Sequence, residues 1–384
     1  MKLLNVVHNS RVDTGGKISH DLLMKELEER GHQIEFLSTT HHDHFETHLM
    51  EDHMSVNLLE KRQKLVKEEV ETQLEKGDYN YVYGNGYYAI PGMLKAAEKF
   101  DIKTITHYRD YWFADVNGTF VGDDGKYYET CNLANIVKHN SLKRLPWNLY
   151  KWRYLKSIWS LLTDSDNSIA TSNRVKRELA DCGIYSEVLP NPVDVEKYYE
   201  ADSRIFSQNY ELEKPIVTFI GSLNISKGTK VLEKLIQSLE ETSFIIAGSG
   251  EEREELETKF RERDNVVFTG WIERKGVRSL VNFSDIILYP SIVPEGFGRV
   301  AVEAMAGGSV AISSDRGGLN DIIKDGENGY LLQPNDFEEW KNKLAIIIEE
   351  SQLREDMGKK AKKDSKQYSV KNHAENFLQM IDEK

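Results

Sequence analysis

The chain alternates short apolar runs with amphipathic stretches, and it does so twice; no other feature restricts the fold as much. Leu3 to His8, Gln33 to Ser38, Tyr79 to Tyr83 and Lys103 to His107 read as strands, and Gly16 to Arg30 reads as the first helix between them. Asn167 to Thr171 and Glu187 to Leu189 add two short strands, after which Pro190-Asn191-Pro192-Val193-Asp194 breaks the period. The pattern restarts at Pro215 to Gly221, with further strands at Phe244 to Ala247, Val266 to Thr269, Ile286 to Tyr289 and Val310 to Ser313. Strands alternating with helices imply α/β architecture with parallel sheets covered on both faces. At 384 residues the chain is too long for one typical core. The expectation is two Rossmann-like domains, residues 1–195 and 196–369, with a ligand cleft between the carboxyl ends of their strands.

Composition narrows the function classes. A formal charge of −13 argues against a nucleic-acid partner, because phosphate backbones select basic surfaces. No apolar run approaches the ~20 residues of a membrane span, and the apolar start of the chain is too short for a signal peptide. Only Cys131 and Cys182 are present, too few for a disulfide framework or a cysteine-based zinc site. A cytoplasmic location is the expectation.

The segment from Pro294 to Gly308 carries the most chemical information. Glu295 sits in a loop that Gly296 and Gly298 let approach a ligand, and Arg299 to Ala306 reads as a helix whose first amides face the same space. Glu303 follows eight residues after Glu295, just over one turn into that helix. Ionised carboxylates only accept hydrogen bonds, so two of them beside free amides suit a ligand with hydroxyl donors at both ends and an anion between. A nucleotide sugar is such a ligand.

Glu295-Gly296-Phe297-Gly298 followed by Glu303-Ala304-Met305-Ala306-Gly307-Gly308 resembles, nearly letter for letter, the E-x7-E signature of the retaining GT-B glycosyltransferases of family 4. The resemblance implies the GT-B fold, with a last helix, about Val370 to Asp382, crossing back to the N-terminal domain. It implies transfer of a sugar from a nucleotide-diphosphate donor to a hydroxyl on a glycan or lipid-linked acceptor, with retention at the anomeric carbon and with neither metal nor cofactor. The family's retaining step is often described as front-face, without an obvious nucleophile. Carried over to this chain, the resemblance gives Glu303 the ribose hydroxyls and Glu295 the sugar, while Lys227 and helix amides hold the diphosphate and His107 contacts the sugar. Gly15 and Gly16 match the family's glycine loop near the donor. Gly248 and Ser249, with Trp271 and Ile272, match the loops that enclose the nucleoside, and Phe297 belongs to the signature loop. Asp315 to Gly318 matches a glycine loop beyond the signature helix, and Asp325 to Gly329 a hairpin after it. Asn85, Asp110, Tyr111 and Trp112 are the acceptor-side candidates. One departure is plain. Gly221-Ser222-Leu223-Asn224-Ile225-Ser226-Lys227-Gly228 resembles the family's G-R-x-x-x-x-K-G loop, but Ser222 stands where the diphosphate-binding arginine belongs. Arg299, at the first turn of the signature helix, is the candidate to replace it.

Two segments lie outside the signature. Between Lys138 and Thr163 there are six Lys or Arg and no acid, interleaved with Trp147, Tyr150, Trp152, Tyr154 and Trp159. The run from 143 to 159 is therefore read as a basic, aromatic helix face that meets a membrane surface. His41, His42, His44, His48 and His53 form a histidine-rich stretch in which His44 and His48, if helical, would make a usable metal pair. Two rival functions remain: a nucleotide-sugar epimerase of the same architecture, and a non-catalytic nucleotide-sugar-binding module, which Ser222 keeps open.

Overall fold

The structure, a computed structural model, describes residues 1–7, 15–40, 45–50 and 58–382. Contacts divide it into two units, Met1–Pro192 with Val370–Lys384, and Val193–Ser369. The division falls three residues before the expected boundary of 195. Val193 and Val195 pack in the second unit's core, and the Val193 amide donates to the Tyr368 carbonyl.

The first unit opens with β1 (Lys2–Val7), α1 (Gly15–Glu29), β2 (Gln33–Ser38), β3 (Glu46–Leu49), α2 (Leu59–Lys76), β4 (Tyr81–Asn85) and α3 (Ala89–Ala97). It continues through β5 (Lys103–Tyr108), α4 (Leu133–His139), α5 (Leu145–Leu162), β6 (Asn167–Ala170), α6 (Asn173–Asp181) and β7 (Glu187–Val188). All seven strands run parallel in the order β3-β2-β1-β4-β5-β6-β7. Alternation along β1 explains the layering: Leu4 and Val6 point into one core with α2, α3 and α5, and Leu3 and Val7 into the other with α1.

The second unit runs α7 (Val195–Tyr199), α8 (Arg204–Asn209), β8 (Ile216–Ile220), α9 (Thr229–Ser238), β9 (Ser243–Ala247), α10 (Arg253–Phe260), β10 (Val266–Gly270) and α11 (Arg274–Phe283). After β11 (Ile286–Tyr289) come α12 (Arg299–Gly307), β12 (Val310–Ser314), α13 (Leu319–Ile322), β13 (Gly329–Leu332), α14 (Phe337–Glu349) and α15 (Ser351–Ser365). Its parallel sheet is ordered β10-β9-β8-β11-β12-β13. In β8, Ile216 and Ile220 face one core and Val217 and Phe219 the other. Both sheets reverse their winding beside the first strand of the unit, the switch point where α/β proteins bind ligands.

The last helix, α16 (Val370–Asp382), belongs to the first unit. Its Ala374, Phe377 and Ile381 have no exposed surface and share a core with Leu3, Leu23 and Tyr83. The His373 ring meets the Pro190 carbonyl at 2.8 Å.

Three details differ from the sequence expectations. Residues 46–49 form β3, so His48 lies on a strand; residues 41–44 and His53 lie outside the described residues. The Asp325–Gly329 segment is a turn leading into β13, and β13 runs parallel to β12, which rules out a hairpin between them. The basic run is less basic in space than in sequence, because acids reach it from distant elements. Arg144 pairs with Asp123 at 2.6 Å, His139 with Asp124 at 2.9 Å, and the Tyr150 hydroxyl donates to Glu60. Lys151 turns inward, donating to the Val116 carbonyl over the Tyr87 ring.

Candidate active site

The signature residues of the second unit converge on one edge of its sheet, the carboxyl ends of β8 to β12. Each strand there runs straight into the loop that carries its motif. After β8 the chain makes a single tight helical turn over Ile225–Lys227, capped by the Asn224 side chain, which accepts from the Lys227 amide at 3.1 Å. Gly228 closes the turn at φ +80°, where a Cβ would fall 1.9 Å from the Pro290 carbonyl oxygen. That position requires glycine twice over, for its backbone angle and for the close approach. The turn aims Lys227 across the sheet edge to Glu295.

Lys227 Nζ lies 2.6 Å from Glu295 Oε1, and the Ser291 hydroxyl donates to the same oxygen at 2.9 Å. Burial opposes the lysine's charge, but the neighbouring Tyr289 oxygen and the Glu295 carboxylate more than offset it and hold its pKa above the usual value. Lys227 therefore stays a cation. The loop around Glu295 is braced from the loop after β12, where the Gly318 amide donates to the Glu295 carbonyl at 2.7 Å.

Glu303 is buried inside α12, and its Oε1 accepts from Arg299 Nε at 2.7 Å, with Arg274 Nη2 at 3.5 Å. Arg299 itself is only 8% exposed. The candidate replacement for the missing arginine is thus already committed to a carboxylate one turn away. Arg274, which the sequence reading passed over, brings a second guanidinium to the same carboxylate; its signal was its place at the start of α11, directly after the Trp271-Ile272 loop. Ser291 was also missed, four residues ahead of Glu295.

Ser222, Gly248, Ser249, Trp271, Ile272 and Val277 line a cavity of 230 Å³ at the ends of β8, β9 and β10. Gly248 sits at φ +144°, and a Cβ there would strike the Gly221 carbonyl at 1.8 Å. Trp271 is 71% exposed, an unusual placement for a large aromatic that the packing does not need. A larger groove of 860 Å³ opens at the amino ends of β9 and β10, lined by Glu240, Arg263 and Asn265 among others, and carries none of the motif residues.

In the first unit, Gly15 and Gly16 open α1, and Asn85 stands beside His107 in the register of β4 and β5. His107 is fully buried, its Nδ1 2.7 Å from the Tyr83 hydroxyl. Asp110 is exposed and accepts from the Trp112 amide at 3.1 Å. Tyr111 and Trp112 correct the acceptor-side expectation: they are 1% and 5% exposed, Tyr111 edge-on to Phe120 and Trp112 stacked on Tyr108, so neither offers an open face to a sugar. Among the described residues, one group has metal-ligand spacing, Glu35, Glu46 and His48. Glu35 is already held by Lys2 at 2.6 Å, Tyr79 and His48.

Comparison with known proteins adds to this geometry. Residues 201–364 match the pattern of the glycosyl transferases group 1, and residues 15–197 that of glycosyltransferase family 4. A sulfoquinovosyl transferase of Arabidopsis thaliana is 27% identical over 239 residues, 58% of this chain and 46% of the relative. An α-1,4-N-acetyl-D-galactosaminyltransferase of Campylobacter jejuni, acting on an undecaprenol-linked saccharide by its name, is 28% identical over 60% of this chain and 64% of its own length. The match thus spans between about half and two thirds of these curated relatives. Two solved structures share the fold over the whole chain: Anabaena HepE in complex with UDP-glucose (TM-score 0.76, 19% identity, 100% of both chains) and a sucrose-phosphate synthase from Thermosynechococcus elongatus (TM-score 0.79, 18% identity, 100% and 98%).

Proposed function

Because this chain belongs to the family-4 glycosyltransferases of the GT-B class, we propose that it moves a sugar from a nucleotide-diphosphate donor to a hydroxyl acceptor, with retention at the anomeric carbon. The observation that carries the reading is the meeting of Lys227 and Glu295 at 2.6 Å on the sheet edge that also holds the 230 Å³ cavity. The cavity accommodates the nucleoside, with Trp271 free to cover a base. Lys227 stabilises the diphosphate as it leaves, and Glu295 orients the sugar hydroxyls, a placement that holds charge where the transition state develops it. Glu303 takes the ribose hydroxyls. The two guanidiniums on it, Arg299 and Arg274, supply positive charge that the Ser222 position lacks.

The acceptor is a glycan or a lipid-linked saccharide, and a specific surface favours the lipid-linked form at the inner face of a membrane. Leu133, Val137, Leu142 and Trp147 are between 42% and 87% exposed along α4, the turn after it and the first turn of α5, with Lys138 and Lys143 also exposed. Apolar residues rimmed by lysines suit an anionic lipid surface. No helix among the described residues is long and apolar enough to cross a membrane.

Incubation with a panel of nucleotide sugars tests the function, beginning with UDP-sugars because HepE was solved with UDP-glucose. Transfer releases nucleoside diphosphate in step with a glycosylated acceptor. An epimerase would change the sugar without transferring it, and a binding module would hold the nucleotide and leave it intact; either result would displace the transferase reading.

A further inference from the structure

Arg109, two residues beyond His107, plays no part in the motifs above, yet it controls the histidine's chemistry. His107 Nδ1 lies 2.7 Å from the Tyr83 hydroxyl and 3.2 Å from Arg109 Nη2. A guanidinium has only protons to offer, so Nδ1 must accept from it. The same Nη2 donates to the Tyr83 oxygen at 3.4 Å, which leaves the tyrosine's own proton to point at Nδ1. With two donors aimed at it, Nδ1 carries no proton, and the single proton of the neutral ring sits on Nε2. Nε2 is buried and has no hydrogen-bond partner among the described residues. Arg109 is held in turn. Its Nη1 donates to Asn191 Oδ1, and its Cδ runs 3.7 Å from where a Cβ on Gly16 would stand.

We propose that Arg109 is a positioning residue that locks His107 as a neutral imidazole with its proton on Nε2, so that His107 donates one fixed hydrogen bond to a ligand oxygen and takes up no proton. The groups facing the ring from each packed element act in the same direction. Burial first, then Arg109, His373 from α16 and His20 from α1, hold the ring's pKa well below its ordinary value. Tyr83 from β4 is pushed above its usual range by burial and stays a neutral phenol. Held in this way, the ring offers a ligand a preorganised dipole from Nε2. The identity of the receiving oxygen, on the transferred sugar or the departing phosphate, rests on the transferase reading. The lock itself does not.

The full-length protein labelled with ¹⁵N at histidine tests the lock, with the His107 signals identified by their loss in His107→Asn. The wild-type ring should show a bare Nδ1 and a protonated Nε2, unchanged between about pH 5 and 8. Arg109→Met removes the charge and both donors while keeping much of the stem, and should give a mixture of the two neutral tautomers; Arg109→Lys should restore the wild-type pattern. In turnover, Arg109→Met should lower kcat about tenfold, the loss of one hydrogen bond made in the transition state, with nucleoside diphosphate affinity changed less than about twofold. A wild-type ring protonated on Nδ1, a ring that titrates in that window, or an Arg109→Met spectrum identical to wild type overturns the proposal. Spectra that follow the expectation in a protein that consumes no nucleotide sugar would uphold the lock and remove the transferase reading.

Discussion

Glu303 does two jobs, and they can be separated. Its carboxylate pairs with Arg299 at 2.7 Å where both side chains are under 10% exposed, so Glu303→Ala breaks a buried ion pair from one side. Breaking such a pair costs roughly 3–5 kcal/mol, whereas replacing both charges by apolar groups of similar size is often close to neutral. Glu303→Ala should therefore lower both the melting temperature and nucleotide affinity, while Glu303→Leu combined with Arg299→Leu should recover most of the stability and none of the affinity. Scanning calorimetry and nucleotide titration read the two effects apart; a double variant that binds as well as wild type would take Glu303 and Arg299 out of the nucleotide site. At this scale the sequence was legible where the cue was local. Glu295, Lys227 and Ser222 were found from loop motifs a few residues long, and the structure gathers them on one edge. Arg274 on Glu303 and Arg109 on His107 were not found, because a guanidinium's target depends on rotamers and on chain that the motif does not contain.

Element by element, strong periodicity was readable and weak periodicity was not. The two central strands, β1 and β8, are apolar on both faces and were found to within a residue or two. The four-residue β3 has exposed ends and a half-buried middle, which leaves no alternation to detect. The basic character of α5 misled for a similar reason: sequence proximity cannot show that Asp123 and Glu60 fold back onto it, or that Lys151 points into the protein. This sharpens the membrane expectation. Binding to anionic vesicles should depend on Val137, Leu142, Trp147, Lys138 and Lys143, with each lysine contributing about 1 kcal/mol and the whole weakening as salt rises. Lys151→Ala should destabilise the first unit without a selective effect on vesicle binding. Sedimentation with anionic and neutral vesicles decides the point. Wild-type protein that stays in the supernatant with both would leave this face as solvated surface.

At the scale of the whole molecule, the chain's last helix completes the core in which the chain begins. Phe377 has no exposed surface, lies edge-on to Tyr83 at 6.2 Å and shares a core with Leu3 and Leu23, so groups from the two ends of the described chain must find one another before the first unit is closed. The second unit has its own two cores, built entirely from residues 193–368. Truncating Phe377 to alanine removes a fully buried ring and should cost about 3–5 kcal/mol, all of it from the first unit. Nucleoside diphosphate binds the second unit in the proposed function, so it should raise the transition of that unit by mass action in wild type and variant alike. Calorimetry of Phe377→Ala with and without nucleotide should show one transition lowered by the mutation and a separate one raised by the ligand. A nucleotide response that disappears along with Phe377 would mean that the binding site depends on the first unit's core, and would move the nucleotide away from the Lys227 and Glu295 edge.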